Sequence, residues 1–381
     1  MRADLVARVE RTCSRRQDAK GLRLAVLEHL RDEFAFDGYV WLLTDPQTSV
    51  GTSPLAAIPG LPWHRLPALI TARYLATANR WTALTSSPRQ VGRLSAATES
   101  ELAGSQLWRT ELAKLGVVDI ASVVFADKHG YWGWLDLWRS NGRRAFDDAD
   151  LELLAQIRSA VTHALRGCQA RCFGDRVDGA RAGPSVLVLA PDLSVRGQTA
   201  EAGRQLYRLN PPDPGPDGAP PDVPAIPAAA YNVAAQLVAR ERGVDARPSR
   251  ARVHIAGLGW LTLQADRMTG PAPVDERDIA VTIEPSGFAD RREVFGRVHG
   301  LTRREVEVLE SVLRGADTHA IARELSVSEH TVNDHVKAIL AKTGCPNRHG
   351  LVARVAGDLP ADARVDEGIL GRGDAPGRCA V

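Results

Sequence analysis

Lysine is scarce in this chain. Of its 48 basic residues only Lys20, Lys114, Lys128, Lys337 and Lys342 are lysines, and the formal net charge of +2 rules out a global basic field. Cysteine is sparse too. Cys13, Cys168, Cys172, Cys345 and Cys379 are scattered and odd in number, which fits reduced thiols and excludes a disulfide framework. Cys168 and Cys172, with His163 nearby, lack the fourth ligand of a closed zinc site and read as helix-flank thiols, so no metal is expected. No apolar run approaches the ~18 residues of a membrane-spanning helix. The opening MRADLVARVERT places Asp4 and Glu10 where a secretory leader needs an apolar stretch, so a cytoplasmic protein is expected. The phosphate-loop signature, H-E-x-x-H, G-x-S-x-G and a complete G-x-G-x-x-G are all missing, and neither an enzyme nor a cofactor is expected.

What is present is a globular balance, 44% hydrophobic and 25% charged, in 381 residues, enough for two or three domains. Residues 21–165 read as one α+β unit. Leu22, Val26, Leu27, Leu30 and Phe34 recur at helical spacing, and Gly38–Thr44 reads as a strand. Val117–Phe125 and Tyr131–Trp138 flank a turn at Asp127–Gly130, and Asp147 caps a helix with Leu151, Leu154, Ile157 and Val161 inward. Helix, strand, meandering hairpin and closing helix resemble a GAF-type sensor domain.

Residues 184–286 form a second unit. Ser185–Ala190 is a strand, residues 210–227 are too rich in Pro and Gly to be anything but an extended loop, and a helix at Ala229–Arg242 follows. With strands near Arg252–Ala256, Trp260–Ala265 and Ile279–Ile283, this stretch resembles a PAS-type fold. A linking helix at 290–298 leads to the last folded piece, 299–357, and a tail at 358–381 without periodicity reads as disordered.

The last folded piece carries the sharpest signal. Thr302 and Glu305 form a capping box, with Leu301 and Val306 placed as a hydrophobic staple. A first helix ends at Gly315, Asp317 or Thr318 caps a short second one, and Ser328 caps a third at Glu329–Lys342. At about 100° per residue Val332, Val336, Ile339 and Leu340 share one side of that third helix. His330, Asn333, Asp334, Lys337 and Ala341 share the other. Short polar and cationic side chains on an exposed stripe suit a helix that enters a major groove, where Asn reads adenine and Lys reads guanine or holds phosphate. By periodicity alone, a solvated helix of a bundle fits as well.

The linear pattern separates these readings. Leu301-Thr-x-Arg-Glu305, Val308-Leu309, Gly315, Ile321-Ala322, Leu325, Ser328, Thr331-Val332, His335, Ile339, Lys342 and Gly344 closely resemble the LuxR-type DNA-binding domain of bacterial transcription regulators. The resemblance implies a four-helix domain that binds double-stranded DNA as a homodimer, with the fourth helix (about Arg348 to Val355) serving dimerisation. It also implies that Asn333, Asp334 and Lys337 face bases while Thr318, Ser328, Thr331, Lys342 and Arg348 hold phosphates. Many members carry Lys where this chain has Asn333, so the stripe here is less cationic.

Fold class is therefore expected to be α+β sensor domains, GAF-like and then PAS-like, followed by a small all-α helix-turn-helix domain. Seven of eight tryptophans lie between Trp41 and Trp138. Tyr39, Trp41, Tyr74, Trp81, Trp132 and Trp134 either line a pocket for a small-molecule effector or form plain core. Trp132, Trp134 and Trp138 are expected on one strand face. The expected function is a one-component transcriptional regulator with no membrane partner. A regulator controlled by a protein partner through its front domains remains the alternative, and an enzyme fused to a DNA-binding domain the outsider.

Overall fold

Two five-stranded antiparallel sheets carry the first three-quarters of the chain, and numbered within its own unit each runs 2-1-5-4-3. The computed structural model describes residues 2–175, 185–211 and 226–357. Most of the Pro- and Gly-rich loop at 210–227 and the whole tail at 358–381 lie outside the described residues. Among those described, no helix is long and apolar enough to cross a membrane.

The first unit contains α1 (Arg2–Ser14), α2 (Ala19–Phe34), β1 (Gly38–Thr44), β2 (Gly51–Ala57) and α3 (Leu66–Leu75). Short pieces follow: α4 (Trp81–Leu84), β3 (Val91–Arg93), α5 (Leu94–Ala97) and α6 (Gln106–Thr110). The long hairpin β4 (Val117–Asp127) and β5 (Gly130–Ser140) and the helix α7 (Asp148–Arg171) complete it. Asp147 caps α7 in a capping box with Asp150, satisfying the first N–H groups of a 24-residue helix. Helix α1 lies ahead of residue 21 and packs on α2 and α7.

Strand alternation sends side chains to two cores. Tyr39, Trp41, Ala121, Val123, Leu135 and Leu137 meet α1, α2 and α7, while Leu42, Val124 and Trp134 face the opposite way. Trp132 breaks the expected pattern. Phe125 pairs with Gly133 and Ala126 with Tyr131, so β5 carries one extra residue there. That bulge turns Trp132 away from Trp134 and Trp138, into the core with Trp41.

The second unit contains β6 (Ser185–Leu189), β7 (Val195–Gln198), α8 (Ala200–Leu209), α9 (Ala228–Glu241), β8 (Arg250–Ile255), β9 (Gly259–Arg267) and β10 (Ile279–Pro285). Helix α9 is buried all round from Ala228 to Ala239. It packs on α3 and β2 of the first unit and on β9 and β10 of the second, so it is the layer between the two sheets. Its alanines let both neighbours approach closely. A buried ion pair adds to the junction: Arg252 Nε donates to Asp45 Oδ2 at 2.7 Å, with both side chains inaccessible. Burial alone would push the Asp45 carboxyl's pKa up; the Arg252 guanidinium and the N–H groups of Thr48 and Arg252 hold it below the usual carboxylate range.

Among the described residues four helices follow a linking helix, α10 (Phe288–Val298): α11 (Arg303–Leu313), α12 (Thr318–Glu324), α13 (Glu329–Thr343) and α14 (Arg348–Ala356). Phe295 of α10 meets Phe173 edge-on at 5.1 Å, and Phe173 meets Trp260 at 4.9 Å. Through Val294, Phe295 and Val298 the core of the four-helix piece is continuous with that of the first unit. Arg291 donates to the carbonyls of Arg354 and Val355, tying α10 to the end of α14.

A candidate nucleic-acid interface and an apolar cavity

The helix-turn-helix is built by caps. Thr302 accepts from the Glu305 N–H at 3.3 Å while the Glu305 carboxylate accepts from the Thr302 N–H at 2.7 Å. Asp317 caps α12 through the Ala320 N–H, Ser328 caps α13 through the Thr331 N–H, and Gly344 ends α13 at φ +65°, a conformation glycine adopts without strain. Such caps contribute about 1 kcal/mol each, which matters in a piece this small.

Val332, Val336 and Ile339 are buried, so α13 shows its other side to solvent. There His330, Asn333, Asp334, Lys337 and Ala341 are exposed. Lys337 is 78% exposed, and Asp334 stands 4.0 Å from its Nζ and 3.4 Å from His330 Nε2. The acidic group thus sits between the two potential cations of the stripe and offsets their field.

The other sites expected to touch DNA have visible partners. Arg348 donates to Thr318 Oγ1 at 3.0 Å, joining the start of α14 to the start of α12. Ser328 Oγ lies 2.9 Å from Thr331 Oγ1. Lys342 Nζ sits on both oxygens of Glu305, at 2.8 and 2.6 Å. Burial alone would raise the Glu305 pKa, but Lys342 and Thr302 hold it low. Lys342 therefore fastens α13 to the capping box of α11, whatever else it touches.

A second site lies far from this stripe. The outward face of the first sheet, α3 and the α8–α9 region line a cavity of about 800 Å³, within the range of ligand pockets. Leu42, Ile70, Tyr74, Trp134, Trp138 and Asn232 are among its walls. Of the aromatics expected to line a pocket, Tyr74 and Trp134 do so; Tyr39, Trp41 and Trp132 lie in the core on the other face, and Trp81 stacks behind Trp134 at 5.1 Å.

Sequence reasoning missed the polar end of the cavity. Arg73 donates to Asp136 at 3.0 and 3.1 Å, and Ser122 hydrogen-bonds the same carboxylate. The Arg73 guanidinium also lies 5.2 and 5.3 Å from the Trp81 and Trp134 rings. Asp136 is 1% exposed and Arg73 8%. The signal was available: an aspartate inside Trp132-Gly-Trp-Leu-Asp-Leu-Trp138 must be buried and needs a cation. Trp134 Nε1, Trp138 Nε1 and Asn232 Nδ2 are buried with no hydrogen-bond partner among the described residues.

Comparison with known proteins marks the C-terminal piece. Residues 299–355 match GerE, the bacterial regulatory proteins of the luxR family. The transcriptional regulatory protein DesR of Bacillus subtilis (strain 168) is 39% identical over 62 residues, which is 16% of this chain and 31% of DesR, so the chain spans about a third of that relative's length. Among solved structures, Escherichia coli SdiA aligns over 94% of this chain and 96% of its own at 13% identity, with a TM-score of 0.31. The phage VqmA–DPO complex aligns over 45% of this chain and 82% of its own at 18% identity, with a TM-score of 0.17. The chain thus ends in a LuxR-family helix-turn-helix domain, preceded by two sheet-containing domains.

Proposed function

We propose that the chain is a sequence-specific DNA-binding transcriptional regulator, acting as a homodimer and controlled by a small molecule held in the 800 Å³ cavity. The exposed stripe on α13, inside the residues that match the luxR family, carries the DNA-binding part. Asn333, Asp334 and Lys337 read bases, while Thr318, Ser328, Thr331, Lys342 and Arg348 approach phosphates. The cavity favours a one-component regulator over one governed by a protein partner. Its walls come from both front domains, so an occupant changes their contact, and α10 connects that body to the helix-turn-helix. Apolar walls with Arg73 and Asp136 at one end suit an effector with an apolar body and a polar group.

Selection of bound fragments from random DNA by the full-length protein tests the reading. A two-fold symmetric site is expected, its half-sites ~10 bp apart centre to centre. Lys337→Ala is expected to cost about 1–3 kcal/mol on that site and little on random DNA. Equal losses on both would remove Lys337 from base reading. Lys342→Ala is expected to lower the salt slope by about one unit and, by stranding Glu305, to lower the melting temperature as well. No enrichment by the full chain or by residues 290–381 would overturn the regulator.

A further inference from the structure

The first unit ends in a single tight turn, Cys172–Gly174, that continues α7, and the Asp175 N–H closes it on the Cys172 carbonyl. A three-residue repeat brings side chains three apart into line, so Cys172 and Asp175 project together. Across from them stands His254 on β8 of the second unit. One ligand-capable atom from each of Cys172, Asp175 and His254 lies within 4.8 Å of the others, and His254 Nε2 is 3.7 Å from Asp175 Oδ2, too long for a hydrogen bond. The His254 ring is held by Trp260, 5.6 Å away and edge-on. All three residues line a crevice of about 1,010 Å³ where the front domains meet His299 and the end of α13.

We propose that Cys172, Asp175 and His254 bind a borderline-soft divalent cation of the zinc class, which clips the first unit to the second beneath α10. Thiolate, imidazole and carboxylate are the donors such an ion takes. Ligand atoms around a tetrahedral zinc stand roughly 3.3–3.8 Å apart, so the trio contracts by about 1.5 Å at most to close on it. A hard cation is excluded, because magnesium and calcium take oxygen donors only. The fourth position faces the crevice and holds water, as in open zinc sites. Binding releases the thiol proton to solvent and changes no oxidation state. The three donors come from the turn after α7 and from a strand 82 positions further on, which no local motif reveals.

Cobalt(II) added to the chelator-treated full-length protein tests the site. One equivalent should bind and give the intense visible bands of a four-coordinate ion with a thiolate charge-transfer band in the near ultraviolet, and zinc should displace it. Cys172→Ser should abolish the charge-transfer band, and Asp175→Asn or His254→Gln should weaken binding roughly tenfold or more. Cys168→Ser should leave the spectrum unchanged. On the unaltered protein, stoichiometric zinc should protect Cys172 from alkylation and raise the melting temperature. Absence of a thiolate band, a band that survives Cys172→Ser, undiminished affinity in His254→Gln, or an unprotected Cys172 would each overturn the site, and the alkylation result does so without any variant having to fold.

Discussion

Asp136 shows how one side chain sets the character of the cavity. It places a carboxylate among tryptophans and leucines, and only the paired N–H groups of Arg73 and the Ser122 hydroxyl make that tolerable. Asp136→Asn leaves a buried guanidinium without its counter-charge, and a loss of about 3–5 kcal/mol is expected in urea unfolding. The double replacement Arg73→Met with Asp136→Leu should recover most of that loss, while removing the polar end on which a ligand would orient. An equal loss in both variants would show that the pair is not the cause. Asp136 went unread although its apolar neighbours mark it as an anomaly, whereas Trp132 carried no such mark: period-two alternation puts it beside Trp134, and only the observed register reveals the bulge.

Among elements, those with strong periodicity or caps were the easiest to read. β1 runs Gly38–Thr44 as its composition implies, α7 starts at its Asp147 cap, and the four closing helices begin at Thr302, Asp317, Ser328 and Asn347 caps. Helix α1 escaped notice because its buried apolar residues amount to Leu5 and Val9, one turn apart, in a charged context. Strand β2 escaped because it carries Pro54, which an edge strand tolerates. Helix α9 was read as a helix, yet nothing in its sequence says that both sides are covered. Its alanines are the reason it fits. Ala234→Leu, at a wholly buried position away from the cavity, should overpack the layer and cost about 1–3 kcal/mol, read as a lower melting temperature. A neutral effect would mean that the helix can shift within its layer.

At the scale of the whole molecule, the helix-turn-helix rests on the front domains through α10, and His299 sits at that joint. Its ring lies against Phe295 and Phe173, with Nε2 buried and without a hydrogen-bond partner among the described residues. Burial, helped by the Arg354 charge, lowers its pKa from 6.5 to about 4. The folded value is depressed, so between these two values the unfolded chain holds the proton that the folded chain refuses. The stabilisation from the neutral ring is complete above about pH 6.5 and falls away as pH drops toward 4. His299→Gln, which never takes up a proton, should flatten the decline in melting temperature between pH 7 and pH 5; an unchanged slope would assign the decline to other groups.

Helix α9 has one more consequence, for the order in which the protein is made. The outward face of the first sheet and helix α3 receive their cover from residues 228–241, yet all five strands beneath are synthesised by residue 140. At about 5–20 residues per second the ribosome needs several seconds more to deliver that cover. During that interval Leu42, Tyr74, Trp81 and Trp134 have no second layer over them. The nascent chain is then most exposed to mispairing or to capture by a chaperone, and a gene cut after α7 would make that passing state permanent.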